Sequence, residues 1–117
     1  MPVEAKMNYI ELPAANIPAV QAFYEAAFGW KFTSYGDDYV AFNDGDMDGG
    51  FYRAELKSTT AAGATLLVLY ASNLEESQQA VEAAGGTIIK GIFSFPGGRR
   101  FHFADPNQNE LAIWSDK

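Results

Sequence analysis

The chain has 117 residues, 48% of them hydrophobic and including nine Phe, six Tyr and two Trp, which is enough apolar material for one packed domain. Fifteen Asp and Glu against eight Lys and Arg give a formal net charge of −7, which repels phosphate backbones and anionic lipid heads and so argues against nucleic acid and membrane partners. With no cysteine, disulfides, thiolate nucleophiles and Cys-ligated metal centres are ruled out.

No run approaches the roughly 20 apolar residues of a membrane span. MPVEAKMNYI lacks the basic-then-apolar order of a secretory leader, so the expected location is the cytoplasm.

In chain order, YIELPA (9–14) is an apolar run of strand length that stops at Asn16, a residue suited to cap a helix. Pro18 in the first turn, then Val20, Phe23, Tyr24 and Ala27 at helical spacing, with Gly29 beyond, predict the first helix. WKFTSY (30–35), YVAFN (39–43) and GFYRAEL (50–56) read as three strands separated by polar turns. KSTTAAGA (57–64), polar and small, is a linker. LLVLYA (66–71) then repeats the opening strand, and Asn73 with Glu76 three residues on has the capping-box pattern. Val81 and Ala84 face inward on this second helix, which stops at Gly85-Gly86. TIIKGI, RRFHFA and ELAIWS supply three more strands, with FSFPGG (93–98) as a Pro-Gly loop between the first two.

Tyr9 and Leu66, Asn16 and Asn73, and Gly29 and Gly86 each lie 57 residues apart. Such an offset marks an internal duplication. The expected plan is α+β, a βαβββ unit twice over in one domain spanning 1–117, with module one at 1–56, a linker at 57–63 and module two at 64–117.

A duplicated βαβββ unit with DPNQNE before the last strand and AFYEAAFGW closing the first helix resembles the vicinal oxygen chelate superfamily, which contains glyoxalase-like lyases, bleomycin-resistance proteins and extradiol dioxygenases. The resemblance covers essentially the whole chain. It implies two four-stranded sheets curled into a cup, a homodimer, and, in catalytic members, a divalent metal held by His, Gln or Glu on the first and last strand of each module. Carried over, those positions fall on Tyr9, Phe51, Leu66 and Ala112. Of these only the phenol could donate, weakly and at high pKa, so no metal and no other cofactor is expected. Whether the cup forms within one chain or by exchange of modules stays open.

Strand alternation aims Tyr9 and Glu11 into the cup, with Val68, Tyr70, Ala112 and Trp114 from the second module. With Phe51 and His102, these form the expected lining. An aromatic wall with one carboxylate suits a flat apolar or cationic compound. A competing reading has the rings fill a small core, and for Glu11 an ion pair with Arg53 or Arg100 stands level with binding a ligand or acting as an acid/base.

His102, the only histidine, faces away from Phe101 and Phe103. With Asp105 and Glu110 it is a weak metal signal lacking a second imidazole. A hydrogen-bonded strand histidine and, for Asp105, a turn residue are the simpler readings. No Gly-x-Ser-x-Gly elbow is present, and DGDMDGG and FPGGRR lack phosphate-loop, dinucleotide or calcium-loop spacing. Three classes follow: a metal-free binder of a small aromatic or cationic compound; a lyase or isomerase that uses Glu11 or holds a metal after all; and a non-catalytic interaction domain.

Overall fold

The computed structural model describes residues 2–117. The elements are β1 (Tyr9–Ala14), α1 (Ile17–Phe28), β2 (Lys31–Ser34), β3 (Tyr39–Asn43), β4 (Asp48–Arg53), a single 3-10 turn (Thr60–Ala62), β5 (Leu67–Tyr70), α2 (Leu74–Ala83), β6 (Thr87–Phe95), β7 (Gly98–Ala104) and β8 (Glu110–Ser115). Both helices begin as their sequences require. The Asn16 side chain accepts from the Ala19 N–H, and the Asn73 side chain accepts from the Glu76 N–H while donating to the Glu76 carboxylate. α1 ends at Gly29, whose φ of 70° only glycine adopts without cost and whose N–H returns to the Glu25 carbonyl.

The strands form two four-stranded sheets with the same plan, ordered β1-β4-β3-β2 and β5-β8-β7-β6. In each, the first and last strands run parallel and the remaining pairs antiparallel, the arrangement of a mixed sheet with one helical crossover.

One core serves both sheets. Tyr24 stacks on Trp30 at 4.6 Å and leans on Phe51, while Phe23, one position before it on α1, reaches Phe103 of the second sheet at 6.0 Å. Leu12, Val40, Phe42 and Phe51 close the core from the first sheet, and Phe101, Phe103, Leu111 and Ile113 from the second. Each such side chain contributes roughly 1.5–3 kcal/mol relative to exposure. Because both sheets turn their helix-bearing faces into this core, the other face of each sheet is left uncovered. Tyr9, Val68 and Tyr70 stand there at 43%, 44% and 51% exposure.

The sequence reading needs three corrections here. Phe51 does not face the cup: it is fully buried between Tyr24 and Phe42, because β4 runs Asp48–Arg53 and its alternation puts Phe51 opposite Val40 on the core side. β4 also ends before Ala54 and so does not run to Leu56. FSFPGG is no loop, since Phe93 to Phe95 continue β6 and Gly98 already begins β7, so the extra residues lengthen a hairpin.

Candidate functional site

On the open face of the first sheet, Tyr9 and Glu11 from β1 meet Tyr39 from β3. The Tyr39 hydroxyl donates to Glu11 Oε2 at 2.8 Å, which leaves its oxygen to accept from the Tyr9 hydroxyl at 2.6 Å. Gly50 makes room for this row, because a Cβ there would collide with the Tyr39 hydroxyl. Loss of solvent around the ring, followed by its bonds to Tyr9 and Glu11, pushes the Tyr39 pKa well above the ordinary phenol value, so Tyr39 keeps its proton and donates it in the hydrogen bond to Glu11. Beside the row lies a depression of about 430 Å³ lined by Tyr9, Lys31, Thr33, Tyr35, Asn43 and Asp48 among others. Neither Arg53 nor Arg100 meets Glu11: Arg53 pairs with Asp38 at 3.5 Å on the surface, and Arg100 belongs to the other sheet.

The open face of the second sheet carries Val68 and Tyr70 on β5, Arg100 and His102 on β7, and Glu110, Ala112 and Trp114 on β8, as the register Val68↔Ala112↔His102 and Tyr70↔Trp114↔Arg100 requires. Tyr70 meets Trp114 edge-on at 5.3 Å and spends its hydroxyl on Asp116. His102 Nδ1 lies 2.8 Å from Glu110 Oε2, and Glu110 Oε1 accepts from both the N–H and the hydroxyl of Thr60. Burial works against the charge on Glu110, but the bonds from Thr60 and His102 outweigh it and hold the carboxyl below its ordinary range.

Asp105 is a turn residue, as expected, and more besides. Its buried carboxylate accepts from the Asn107 and Asn109 N–H groups, the Asn109 amide and the Tyr24 hydroxyl of α1. Asn107 and Asn109 in turn reach Pro13 O, Leu56 O, and the Ala15 and Ser58 N–H groups. The Asp-Pro-Asn turn therefore staples the second module to the end of β1 and to the linker.

The family model described as "Glyoxalase/Bleomycin resistance protein/Dioxygenase superfamily" matches residues 6–113. The chain belongs to this superfamily. Solved members share the fold across nearly the whole chain. A glyoxalase/bleomycin resistance protein/dioxygenase family enzyme from Burkholderia phytofirmans PsJN is 20% identical with a TM-score of 0.80, covering 97% of this chain and 100% of that one. A lactoylglutathione lyase from Agrobacterium tumefaciens is 18% identical with a TM-score of 0.73, covering 95% and 93%. The fosfomycin resistance protein FosX from Listeria monocytogenes, in complex with Mn(II) and a dihydroxypropylphosphonic acid, is 14% identical with a TM-score of 0.80, covering 97% and 91%. No curated protein sequence matches the chain.

The superfamily's metal does not fit the residues present. Phe51 is turned into the core, Leu66 precedes β5, Ala112 has no donor atom, and the Tyr9 phenol is a poor ligand. Glu11 and Asp48 share the first open face but are engaged by Tyr39 and by the Asn43 amide. Among the described residues no group of three His, Cys, Asp or Glu converges, and no helix is long and apolar enough to cross a membrane. Of the residues expected to line one cup, Tyr9 and Glu11 stand on the open face of the first sheet and Val68, Tyr70, His102 and Trp114 on that of the second. Sequence reasoning missed Tyr39, whose signal was the alternation of YVAFN, with Val40 and Phe42 on the core side.

Proposed function

We propose that the chain is a metal-free binding member of the superfamily that takes a planar aromatic or cationic compound on the open face of its first sheet. The observation that carries this is the Tyr9–Tyr39–Glu11 row: a half-exposed ring beside a carboxylate whose one oxygen is held in place, next to a depression of ligand size. The Glu11 carboxylate already accepts the Tyr39 hydroxyl, which holds it in place as a fixed counter-charge for a bound cation. The reading includes a homodimer in which the cup is completed between two chains, for which β1 and β2 in one sheet and β5 and β6 in the other, each paired on one side only, leave free edges.

The test is a thermal-shift series with aryl ammonium compounds and neutral aromatics of the same shape. Ligand at a hundredfold excess over its dissociation constant stabilises by about 2.7 kcal/mol. Glu11→Gln should weaken the cations by about tenfold and leave the neutral compounds unchanged. Metal analysis of the purified protein should give well under one equivalent of Zn, Ni, Mn or Fe. Stoichiometric metal surviving a mild chelator wash, or equal losses for charged and neutral ligands in Glu11→Gln, would overturn the proposal.

A further inference from the structure

The second open face holds two buried polar atoms without hydrogen-bond partners among the described residues, Arg100 Nε and His102 Nε2. Such atoms are rare in native proteins, and each calls for an account. Glu110 is ionised at neutral pH and can only accept, so His102 must use its Nδ1–H on Glu110, and Nε2 is the nitrogen left over. Thr60 fixes the far oxygen of Glu110 through two bonds, so the imidazole is held by a chain of contacts beginning in the linker turn. His102 itself is only 8% exposed.

What covers Nε2 is built by irregular pairing. Along β6, Ile88 pairs with Phe103, Lys90 with His102, and Phe93 with Arg100, so β6 carries one residue more than β7 at each of two steps. Plain alternation would send Lys90 and Phe93 to opposite faces. The two bulges bring both over His102. Phe93 lies against the imidazole at 5.9 Å and 29°, with Lys90 Nζ 4.3 Å above the ring and the Arg100 guanidinium 5.4 Å from it. β6 is an edge strand, Gly91 sits within the second bulge, and the Phe93 ring is only partly buried, so this cover can swing without disturbing the core.

We propose that Arg100, His102 and Glu110 form a covered anion site that receives the carboxylate of an aromatic acid when Phe93 moves off the imidazole. The charged and titratable groups facing His102 are Lys90 from β6, Arg100 from its own strand and Glu110 from β8, two cations against one anion, and this local balance runs against the chain's net charge. One carboxylate oxygen accepts from Arg100 Nε–H; binding takes up one proton from solvent on His102 Nε2, and the second oxygen accepts from that Nε2–H while Nδ1–H stays on Glu110, so the acid group satisfies both orphaned atoms. Phe95 and Trp114, 6.4 Å apart at the end of the same face, supply the wall for the aromatic body. The site lies on the other sheet from the one in the preceding proposal and stands independently of it.

The chain's single histidine makes the test direct, because its imidazole resonances in a nitrogen-15 NMR spectrum need no assignment. Titrating the protein with 1-naphthoate should move the Nε2 resonance saturably, while phenyltrimethylammonium should leave it unmoved. Arg100→Gln should weaken naphthoate by about tenfold or more, Arg100→Lys should recover only part of that, and Phe93→Ala should tighten binding by removing the cover. Melting curves establish that each variant is folded; if either arginine variant is not, the wild-type titration and Phe93→Ala decide the matter. An Nε2 resonance that does not respond to naphthoate, an equal response to the cation, or unchanged affinity in a folded Arg100→Gln protein would overturn the proposal.

Discussion

Replacing Tyr24 by Phe tests the idea that the Asp-Pro-Asn turn binds the two modules together through a buried charge. Tyr24 is fully buried and Asp105 is 1% exposed, and the hydroxyl donates to Asp105 Oδ2 at 2.9 Å. The substitution leaves the ring stack on Trp30 intact and removes one of the four donors around the carboxylate. A hydrogen bond to a charged group contributes about 1.5–3 kcal/mol, so a loss near 2 kcal/mol is expected at neutral pH, equivalent to roughly 8 °C in melting temperature for a domain of this length. The loss should depend on pH. Burial raises the native pKa of Asp105 above its unfolded value in spite of its donors, so its favourable contribution is complete below the ordinary carboxylate pKa and fades as pH rises through the native one. Taking away a donor to the anion raises the native pKa further, so the deficit of Tyr24→Phe is largest where Asp105 is ionised and shrinks toward about 1 kcal/mol where it is protonated. Urea unfolding followed by circular dichroism at pH 7 and near pH 4 measures both values. A deficit under about 0.5 kcal/mol at pH 7, or one that grows on acidification, would refute the reasoning.

Asn107→Ala removes bonds to Pro13 O, Leu56 O and the Ala15 N–H and should cost roughly 2–3 kcal/mol in urea unfolding; a change within 0.5 kcal/mol would mean that the staple adds nothing. Gln108 holds a φ of 65° in the middle of the same turn, a conformation that costs a side-chain-bearing residue about 1–2 kcal/mol. Gln108→Gly relieves that strain against a smaller entropy cost and should raise the free energy of unfolding by about 0.5–1 kcal/mol, seen as a higher urea midpoint; a lower midpoint would contradict the strain reading.

The elements most legible in the sequence were those specified by local chemistry. Asn16 and Asn73 cap their helices because a short polar side chain next to an apolar periodic run has little else to do, and Gly29 stops α1 because of its φ. The duplication was visible because both copies need the same caps at the same spacing. Phe51 was misplaced because a family position was carried over without regard to alternation, and with Val40 as its cross-strand partner the core side was the only face open to it. The β6 bulges were hidden for a different reason. Inserting one residue leaves composition and turn signals unchanged, yet the first insertion puts Lys90 on the face opposite Ile88, and the second returns Phe93 to the same face as Lys90, beside His102. The orphaned atoms on Arg100 and His102 were also out of reach, since they depend on Thr60, some 50 residues upstream of Glu110, holding the carboxylate that fixes the imidazole. Both features lie on the second open face, so the sequence indicated the fold and the aromatic lining but not the chemistry gathered around its single histidine.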